Sequence, residues 1–292
     1  MSSTAVGVPS LAVASWRDLV ALLKLRIGAL VVVTALTGAV AAGSRDLSTL
    51  VVLALACLAA SSGASTLNHY LDRDLDARMA RTAGRPLPSR RVSSHTALWL
   101  GLGLVAASQA AGPALGWGPA LYLLAGAAVY AVVYTAWLKR RTPFSIVVGG
   151  AAGSFAALAG WETAASSWEP EAQLLAAVLL LWTPSHFWSL AIVLERDYRS
   201  AGVPALSAVV GPARTAAAVW WNTVALVATS LLLGVYAGPL YLAVALPASA
   251  WFLVLAHRLR RDPVAARAWL TFKLSGAYLL ALLAALVLSA LA

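Results

Sequence analysis

The stretch Asn68-His-Tyr-Leu-Asp72-Arg-Asp74-Leu-Asp76 ends an apolar run that begins near Val51, so we expect it to form the last two turns of a membrane helix. On a helix, Asn68, Asp72 and Asp76 lie on one face and are about 6 Å apart along the axis. Carboxylates at membrane depth are costly to desolvate, so this face should line a polar cavity. Mg²⁺ binds through one or two carboxylates and substrate phosphates. The spacing therefore predicts a site for a metal ion and a phosphate at this helix end.

A basic loop follows, with the sequence Arg81-Thr-Ala-Gly-Arg85-Pro-Leu-Pro-Ser-Arg90-Arg91. Guanidinium groups bind phosphate through paired, charge-assisted hydrogen bonds, which makes Arg81 and Arg85 candidate phosphate contacts. The simpler interpretation is an ordinary helix end whose acids pair with arginines, and Asp74 fits it because Arg78 lies four residues on. Three aligned oxygen residues at membrane depth favour the metal site.

The composition is that of a polytopic membrane protein, since 61% of the 292 residues are hydrophobic and only 11% are charged. We expect residues 1–15 to form a disordered or interfacial lead and residues 16–292 to form one all-α transmembrane domain. Nine apolar runs are near or above the length needed to cross a bilayer. They are predicted at residues 21–43, 50–71, 96–115, 118–138, 144–163, 172–194, 215–236, 239–257 and 268–291.

The net charge of +10 does not indicate a nucleic-acid partner, because the basic residues cluster at alternate ends of the predicted spans. Arg45 lies at the opposite end, together with Glu162, Glu169 and Glu171. This is the positive-inside pattern. It predicts a multi-pass protein of the plasma (inner) membrane of a prokaryote, with a cytoplasmic N-terminus, an external C-terminus and a site toward the cytoplasmic face.

Further candidate residues lie at the same predicted ends. The sixth span ends with Trp182-Thr-Pro184-Ser-His186-Phe-Trp188, followed by Glu195-Arg196-Asp197. His186 and Asp197 are eleven residues apart and share a helix face. Lys24 either snorkels to the interface or reaches inward to a phosphate. Tyr134, near the end of the fourth span, fits an interfacial aromatic belt as well as a site.

These residues resemble the membrane-embedded UbiA prenyltransferases and, within them, the protohaem IX farnesyltransferase (haem O synthase) group. The first motif is the stretch from Asn68 to Asp76 with its basic loop. The resemblance covers nearly the whole chain from Lys24 and continues through Tyr134-Thr-Ala-Trp-Leu-Lys139-Arg-Arg-Thr-Pro, Ile146-Val-Val-Gly-Gly-Ala-Ala-Gly, Trp182-Thr-Pro-Ser-His-Phe-Trp, Asp197-Tyr-Arg-Ser-Ala-Gly-Val-Pro and Leu270-Thr-Phe-Lys-Leu-Ser.

The resemblance implies nine helices around a central cavity in the lipid bilayer and Mg²⁺ held by aspartates of two facing motifs. It implies transfer of a farnesyl group from farnesyl diphosphate to protohaem IX (haem B), which gives haem O for a downstream haem-modifying enzyme. The implied metal and catalytic residues are Asn68, Asp72, Asp76 and Asp197. The diphosphate contacts that it implies are Arg81, Arg85 and Lys139. Lys24, Tyr134, Arg140 and Arg196 are further candidate binding residues. Three roles stay open for His186, which could orient the haem, ligate it or act as a base.

The later motifs depart from the haem group's pattern. Ser185 stands where a second proline is usual, Arg196 replaces a lysine, and Ala205-Leu206-Ser207 replaces Met-Leu-Pro. Ala201 occupies the place of a second aspartate found in many other UbiA enzymes. A quinone precursor or another aromatic or lipid acceptor therefore stays open. A transporter of an anionic metabolite is the alternative from another class, although carriers usually bind near the membrane midplane.

Overall fold

The structure is a computed structural model that describes residues 15–292, and all its regular elements in that range are helical. The α-helices are α1 (Trp16–Leu23), α2 (Leu25–Ala41), α3 (Leu47–Leu71), α4 (Arg73–Arg78), α5 (Ser94–Ser108), α6 (Gly112–Leu115), α7 (Trp117–Ala128), α8 (Ser145–Gly149), α9 (Ala151–Trp161), α10 (Pro170–Val193), α11 (Glu195–Ser200), α12 (Leu206–Ala237), α13 (Pro239–Arg261) and α14 (Ala265–Leu291). A π-helix at Val129–Trp137 and a 3₁₀ turn at Leu138–Arg140 extend α7, and a 3₁₀ turn at Gln109–Ala111 follows α5.

Eight helical segments between residues 15 and 292 are long and apolar enough to cross a membrane. They are Trp16–Ala41, Leu47–Leu71, Ser94–Leu115, Trp117–Arg140, Pro170–Val193, Leu206–Ala237, Pro239–Arg261 and Ala265–Leu291. The prediction of a multi-pass, all-α membrane protein is therefore confirmed. Nine spans were expected, and the difference lies in the fifth predicted span. There α8 and α9 form a shorter apolar segment, Ser145–Trp161, that is broken near Gly150.

The first span is broken at Lys24, which adopts the left-handed conformation (φ 47°, ψ 48°) between α1 and α2. Such a conformation is uncommon for a residue with a side chain and costs about 1–3 kcal/mol. The break lets α1 pack on the basic loop, because Leu22 is fully buried against Leu87, Val92 and Ala97. The lead predicted for residues 1–15 lies outside the described residues except for Ser15, which caps α1 by accepting a hydrogen bond from the Asp18 amide.

Helices α2 and α9 pack with their backbones almost in contact. A Cβ atom added at Gly160 would lie 1.8 Å from the carbonyl oxygen of Ala35, so glycine is required there. One apolar cluster joins α2 and α9 with α3 and α7, and a second joins α9 with α10, α12, α13 and α14. Since α14 also packs against α2, the helices form a closed bundle.

The second span ends at Leu71 and does not continue as one helix through Asp76. Asp72 occupies the cap position with φ −93° and ψ 3°, and Asp76 lies on the short helix α4 that follows. Backbone hydrogen bonds nevertheless run from the Asp72 amide to the Asn68 carbonyl (2.9 Å) and from the Asp76 amide to the Asp72 carbonyl (2.7 Å). The helical spacing of these three residues is therefore kept, although the predicted single helix is wrong.

Candidate active site

Asn68, Asp72 and Asp76 face the interior of the protein, where their side chains are 4%, 1% and 2% exposed. The Asn68 amide nitrogen donates hydrogen bonds to Asp72 Oδ2 (2.8 Å) and to Thr135 Oγ1 (3.1 Å). Asp72 Oδ1 is buried and has no hydrogen-bond partner among the described residues. A buried, unpartnered carboxylate oxygen is costly, so this atom is poised to receive a cation or a donor.

Three basic side chains surround this polar group. Lys139 donates from Nζ to Asp72 Oδ2 at 2.5 Å, and Arg85 donates from one nitrogen to both oxygens of Asp76, at 2.9 and 2.8 Å. Lys24 reaches inward and donates to the side-chain oxygen of Asn68 at 2.8 Å. Its left-handed backbone turns the side chain toward the site instead of the membrane interface.

The charges of this group do not balance. When Lys24 is protonated, three cations (Lys24, Arg85 and Lys139) face the two carboxylates of Asp72 and Asp76, and among the described residues Lys24 bonds only a neutral amide. A charge at this depth is stable only when it is paired, so the excess positive charge favours an anionic ligand. We call these five residues together with Asn68 the charged cluster: Lys24, Asn68, Asp72, Asp76, Arg85 and Lys139.

The inner end of the fourth span is wound as a π-helix, which brings its polar side chains to the charged cluster. Thr135 Oγ1 donates to the carbonyl of Tyr130 five residues earlier (2.8 Å), and Thr135 Oγ1 in turn accepts the hydrogen bond from the Asn68 side chain. The rings of Tyr130 and Tyr134 stack with centroids 5.8 Å apart. A π-turn is rare and frequently marks a functional site. Here it positions Thr135 and Lys139 opposite α3.

Asp197 does not join the charged cluster. It lies on α11, where its partly exposed carboxylate is 3.9 Å from Nε of Arg81. Tyr198, Ala201 and Val203 pack against Leu75 and Met79, so α11 and the loop after it lie against α4. The two motifs therefore lie at one end of the bundle. Arg196 is exposed and makes no ion pair in the described part of the chain.

Arg140 points away from the charged cluster and binds Asp74 on the protein surface. Its two terminal nitrogens each lie 2.7 Å from an oxygen of Asp74. These hydrogen bonds lower the pKa of the Asp74 carboxyl to about 2. The partner of Asp74 is thus Arg140, and the expected pairing with Arg78 is not observed.

An apolar chamber begins one helical turn from Asn68. Its empty space, which includes the part open to the surroundings, is about 530 Å³. The walls come from α2, α3, α7, the π-helix and α9, and they include Ile27, Val31, Ala60, Ala64, Leu123, Tyr130 and Ala156. Such a chamber can hold a hydrocarbon chain whose polar end reaches the charged cluster.

A second cavity lies on the other side of the Tyr130 and Tyr134 pair. Its walls include Tyr134 and Lys139 from the fourth span, Phe187 and Trp188 from α10, and Tyr198 from α11. Gly149 permits this arrangement, because a Cβ atom there would lie 2.8 Å from the ring of Tyr134. Lys139 therefore borders both the charged cluster and this second cavity.

His186 lies on α10 but is not part of the charged cluster. Its Nδ1 atom is 2.7 Å from Ser275 Oγ on α14, and its ring stacks with Trp182 and Phe272. The other side of α10 is bound to α12, since Asn222 donates to the Leu181 carbonyl (2.5 Å) and to Ser185 Oγ (2.8 Å).

Sequence reasoning missed two residues of this region. Thr135 was hidden because nothing in an apolar span indicates a π-turn. His69 is 3% exposed, lies 4.0 Å from Asp76 Oδ2 and has no hydrogen-bond partner on either ring nitrogen among the described residues. Its place beside Asn68 in the first motif was the available signal.

The described residues contain no group of three or more His, Cys, Asp or Glu side chains arranged to hold a metal ion. Lys139 forms an ion pair with Asp72, and Arg85 forms one with Asp76. Of the four predicted metal residues, Asn68, Asp72 and Asp76 lie together, and Asp197 is paired elsewhere with Arg81.

Comparison with known proteins identifies relatives across most of the chain. Residues 31–290 match the UbiA prenyltransferase family. A protohaem IX farnesyltransferase 2 from Paramagnetospirillum magneticum is 43% identical over 257 residues, which cover 86% of this chain and 88% of that protein. Protohaem IX farnesyltransferase 1 from Cenarchaeum symbiosum is 38% identical over 283 residues, which cover 94% of this chain and 96% of that protein.

Solved structures share the fold at low sequence identity. A digeranylgeranylglyceryl phosphate synthase superposes with a TM-score of 0.78 at 16% identity, covering 94% of this chain and 98% of that one. A UbiA homologue from Archaeoglobus fulgidus bound to GPP and Mg²⁺ gives a TM-score of 0.67 at 16% identity, covering 92% and 99%. The helical bundle, the family match and the identity to full-length relatives agree, and the chain belongs to the UbiA prenyltransferase family.

Proposed function

We propose that the chain transfers the farnesyl group of farnesyl diphosphate to protohaem IX and thereby forms haem O. The observation that carries this proposal is the charged cluster, whose excess positive charge adjoins an apolar chamber. A prenyl diphosphate has the matching shape, with a multiply charged head and a hydrocarbon tail. The names of the relatives, which are protohaem IX farnesyltransferases, support the choice of prenyl group and acceptor.

The cations of the charged cluster bind the diphosphate. Lys24 has no carboxylate partner, and Lys139 and Arg85 can exchange a carboxylate oxygen for a phosphate oxygen. Arg81 is half exposed beside Asp197 and closes the same end of the site. Charge that develops on the leaving diphosphate is stabilised by fixed donors in a site that excludes water, which is usually the largest contribution to such a step.

Asp72 and Asp76 fit a Mg²⁺ ion, because their oxygens are the ligand type that this ion prefers and Asp72 Oδ1 has no other partner. Mg²⁺ would supply further positive charge for the leaving diphosphate. Asn68 orients Asp72 through its amide nitrogen, and Asp197 faces the same end of the bundle from the second motif.

The reaction breaks the bond between C1 of the farnesyl group and the diphosphate oxygen. A new carbon–carbon bond forms between C1 and a vinyl group of the haem, water adds to the resulting cation, and a proton is released. The apolar chamber keeps water from the farnesyl cation before the acceptor reaches it. Tyr130 and Tyr134 lie between the chamber and the second cavity, where the acceptor approaches.

The end of the bundle that carries the charged cluster faces the cytoplasm in a prokaryotic plasma membrane. The basic residues Arg81, Arg85, Lys139 and Arg140 lie at this end, whereas Glu162, Glu169 and Glu171 lie at predicted loops of the other. This distribution follows the positive-inside rule and supports a cytoplasmic N-terminus.

Product analysis tests the proposal. Purified full-length protein in lipid nanodiscs is given Mg²⁺, farnesyl diphosphate and haem B, and products are identified by mass spectrometry. We expect haem O and one diphosphate per product, and neither with Asp72→Asn. A prenylated hydroxybenzoate formed in place of haem O would assign a different acceptor. Diphosphate left intact while it crosses the membrane down an ion gradient would assign a transporter.

A further inference from the structure

The ring of His186 is fixed between two aromatic side chains. The Trp182 centroid lies 4.4 Å away at an interplanar angle of 24°, and the Phe272 centroid lies 4.3 Å away at 35°. Phe187 meets the ring edge-on at 5.5 Å. The plane of the imidazole, and with it the direction of both nitrogens, is therefore set by packing between α10 and α14.

The hydrogen bonds of Ser275 favour the tautomer of His186 that carries its proton on Nδ1. Ser275 Oγ donates its single proton to the carbonyl of Phe272 at 2.7 Å. The same oxygen lies 2.7 Å from His186 Nδ1, and with its own proton directed to Phe272 it can accept a hydrogen bond from a protonated Nδ1. Nε2 of the neutral ring then has an unshared electron pair, and it makes no hydrogen bond to any described residue.

This arrangement is the one that prepares a histidine for a metal ion. Metal-bound histidines almost always donate the other ring N–H to an oxygen, which fixes the tautomer and strengthens the ligand. On the basis of the proposed function, we propose that Nε2 of His186 is the axial ligand of the iron in the protohaem acceptor. Ser275 is the positioning residue that holds Nδ1 and has no contact with the iron.

The surface around His186 suits a flat, apolar macrocycle. Trp269 stacks on Phe272 at 5.3 Å and is 43% exposed, so the aromatic row continues along α14. Lys273 lies over the Trp269 ring at 5.2 Å and offers a cation for the acidic groups at the porphyrin edge. Phe187, the residue after His186, also lines the second cavity, which Lys139 borders.

The other three histidines of the chain do not offer the same geometry. His69 is buried on all sides at the charged cluster. His95 is exposed at the start of α5 and has no aromatic partner in the described part. His257 packs edge-on against Trp220 on α12, with centroids 5.2 Å apart.

Absorption and resonance Raman spectroscopy of haem B bound to the full-length protein test this assignment. We expect a histidine-ligated spectrum in the wild type and in the matched control His95→Ala. His186→Gly should lose this spectrum and bind haem at least about tenfold more weakly, and added imidazole should restore it on the protein after gel filtration. Ser275→Ala should keep histidine ligation but shift the iron–histidine stretching frequency. Unchanged binding of farnesyl thiodiphosphate, an unreactive analogue, shows that each variant is folded.

Two outcomes would overturn the inference. One is the same spectrum in His186→Gly as in the wild type, and the other is its loss in His69→Ala while His186→Gly keeps it. The result is separable from the proposed function. If haem ligation depends on His186 but the protein forms no haem O, the inference stands and the proposed reaction is wrong. If the wild type binds no haem, both are wrong.

Discussion

Substitutions of the buried ion pair of Asp72 and Lys139 should compensate each other in stability but not in activity. Lys139→Met leaves the Asp72 carboxylate, which is 1% exposed, with only the Asn68 amide as donor. Loss of one partner of a buried ion pair costs about 3–5 kcal/mol, whereas replacement of both by neutral groups is often nearly neutral. We therefore expect Lys139→Met to lower the free energy of unfolding by about 3–5 kcal/mol, and Asp72→Asn/Lys139→Met to recover most of it.

Activity should not recover in the double variant. Loss of one donor to a developing negative charge lowers kcat by about 10²–10³-fold, and Asp72→Asn also removes the carboxylate proposed to bind the metal. Unfolding is measured by denaturant titration in mixed micelles, and activity by diphosphate release. The exposed Asp74 supplies the matched control, since Asp74→Asn should change stability by less than about 1 kcal/mol and retain activity. A double variant as unstable as the sum of the single variants, or one that remains active, would refute this reasoning.

Four further outcomes are expected. Gly160→Ala should destabilise the protein by about 1–3 kcal/mol or more, because its Cβ would meet the Ala35 carbonyl, whereas Gly103→Ala meets open space; thermal unfolding distinguishes them. Ala60→Phe should fill part of the chamber, where overpacking by the longer farnesyl chain costs about 1–3 kcal/mol. The ratio of kcat/KM for geranyl diphosphate to that for farnesyl diphosphate should therefore rise by about tenfold. Equal losses of kcat/KM for both substrates would contradict this role of the chamber. Arg81→Ala should change the free energy of unfolding by less than about 0.5 kcal/mol. It should raise KM for farnesyl diphosphate roughly tenfold or more, because a hydrogen bond to a charged group is lost. An unchanged KM would show that Arg81 does not contact the diphosphate. Because Arg140 lowers the pKa of Asp74 to about 2, the stability difference between wild type and Asp74→Asn should be complete above pH 3.8 and shrink as pH falls toward 2.

Hydropathy and motif spacing were sufficient to predict the membrane spans and the burial of Asn68, Asp72 and Asp76, because both depend on the local pattern of apolar and polar residues. The pattern did not predict where helices break. Span five is interrupted near Gly150, where the backbone passes close to Thr183 and Leu180 of α10, and that contact is set by tertiary packing.

The partners of the charged side chains could not be read from the sequence either. Lys24 fitted both the interface and the site until its left-handed backbone was known. Lys139 and Arg140 are adjacent in sequence, yet Lys139 binds the buried Asp72 and Arg140 binds the exposed Asp74. Their side chains point in different directions from the 3₁₀ turn that follows the π-helix. These choices depend on contacts with residues 44, 66 and 67 positions away along the chain, which local spacing does not encode.

The most direct measurement for the whole account is the affinity of the purified protein for farnesyl thiodiphosphate, determined by calorimetry with and without Mg²⁺. We expect tight binding that requires the metal, is lost in Asp72→Asn and in Lys24→Met, and is retained in Asp74→Asn. Equal affinity in all four proteins, or binding indifferent to Mg²⁺, would contradict the claim that the charged cluster holds the diphosphate.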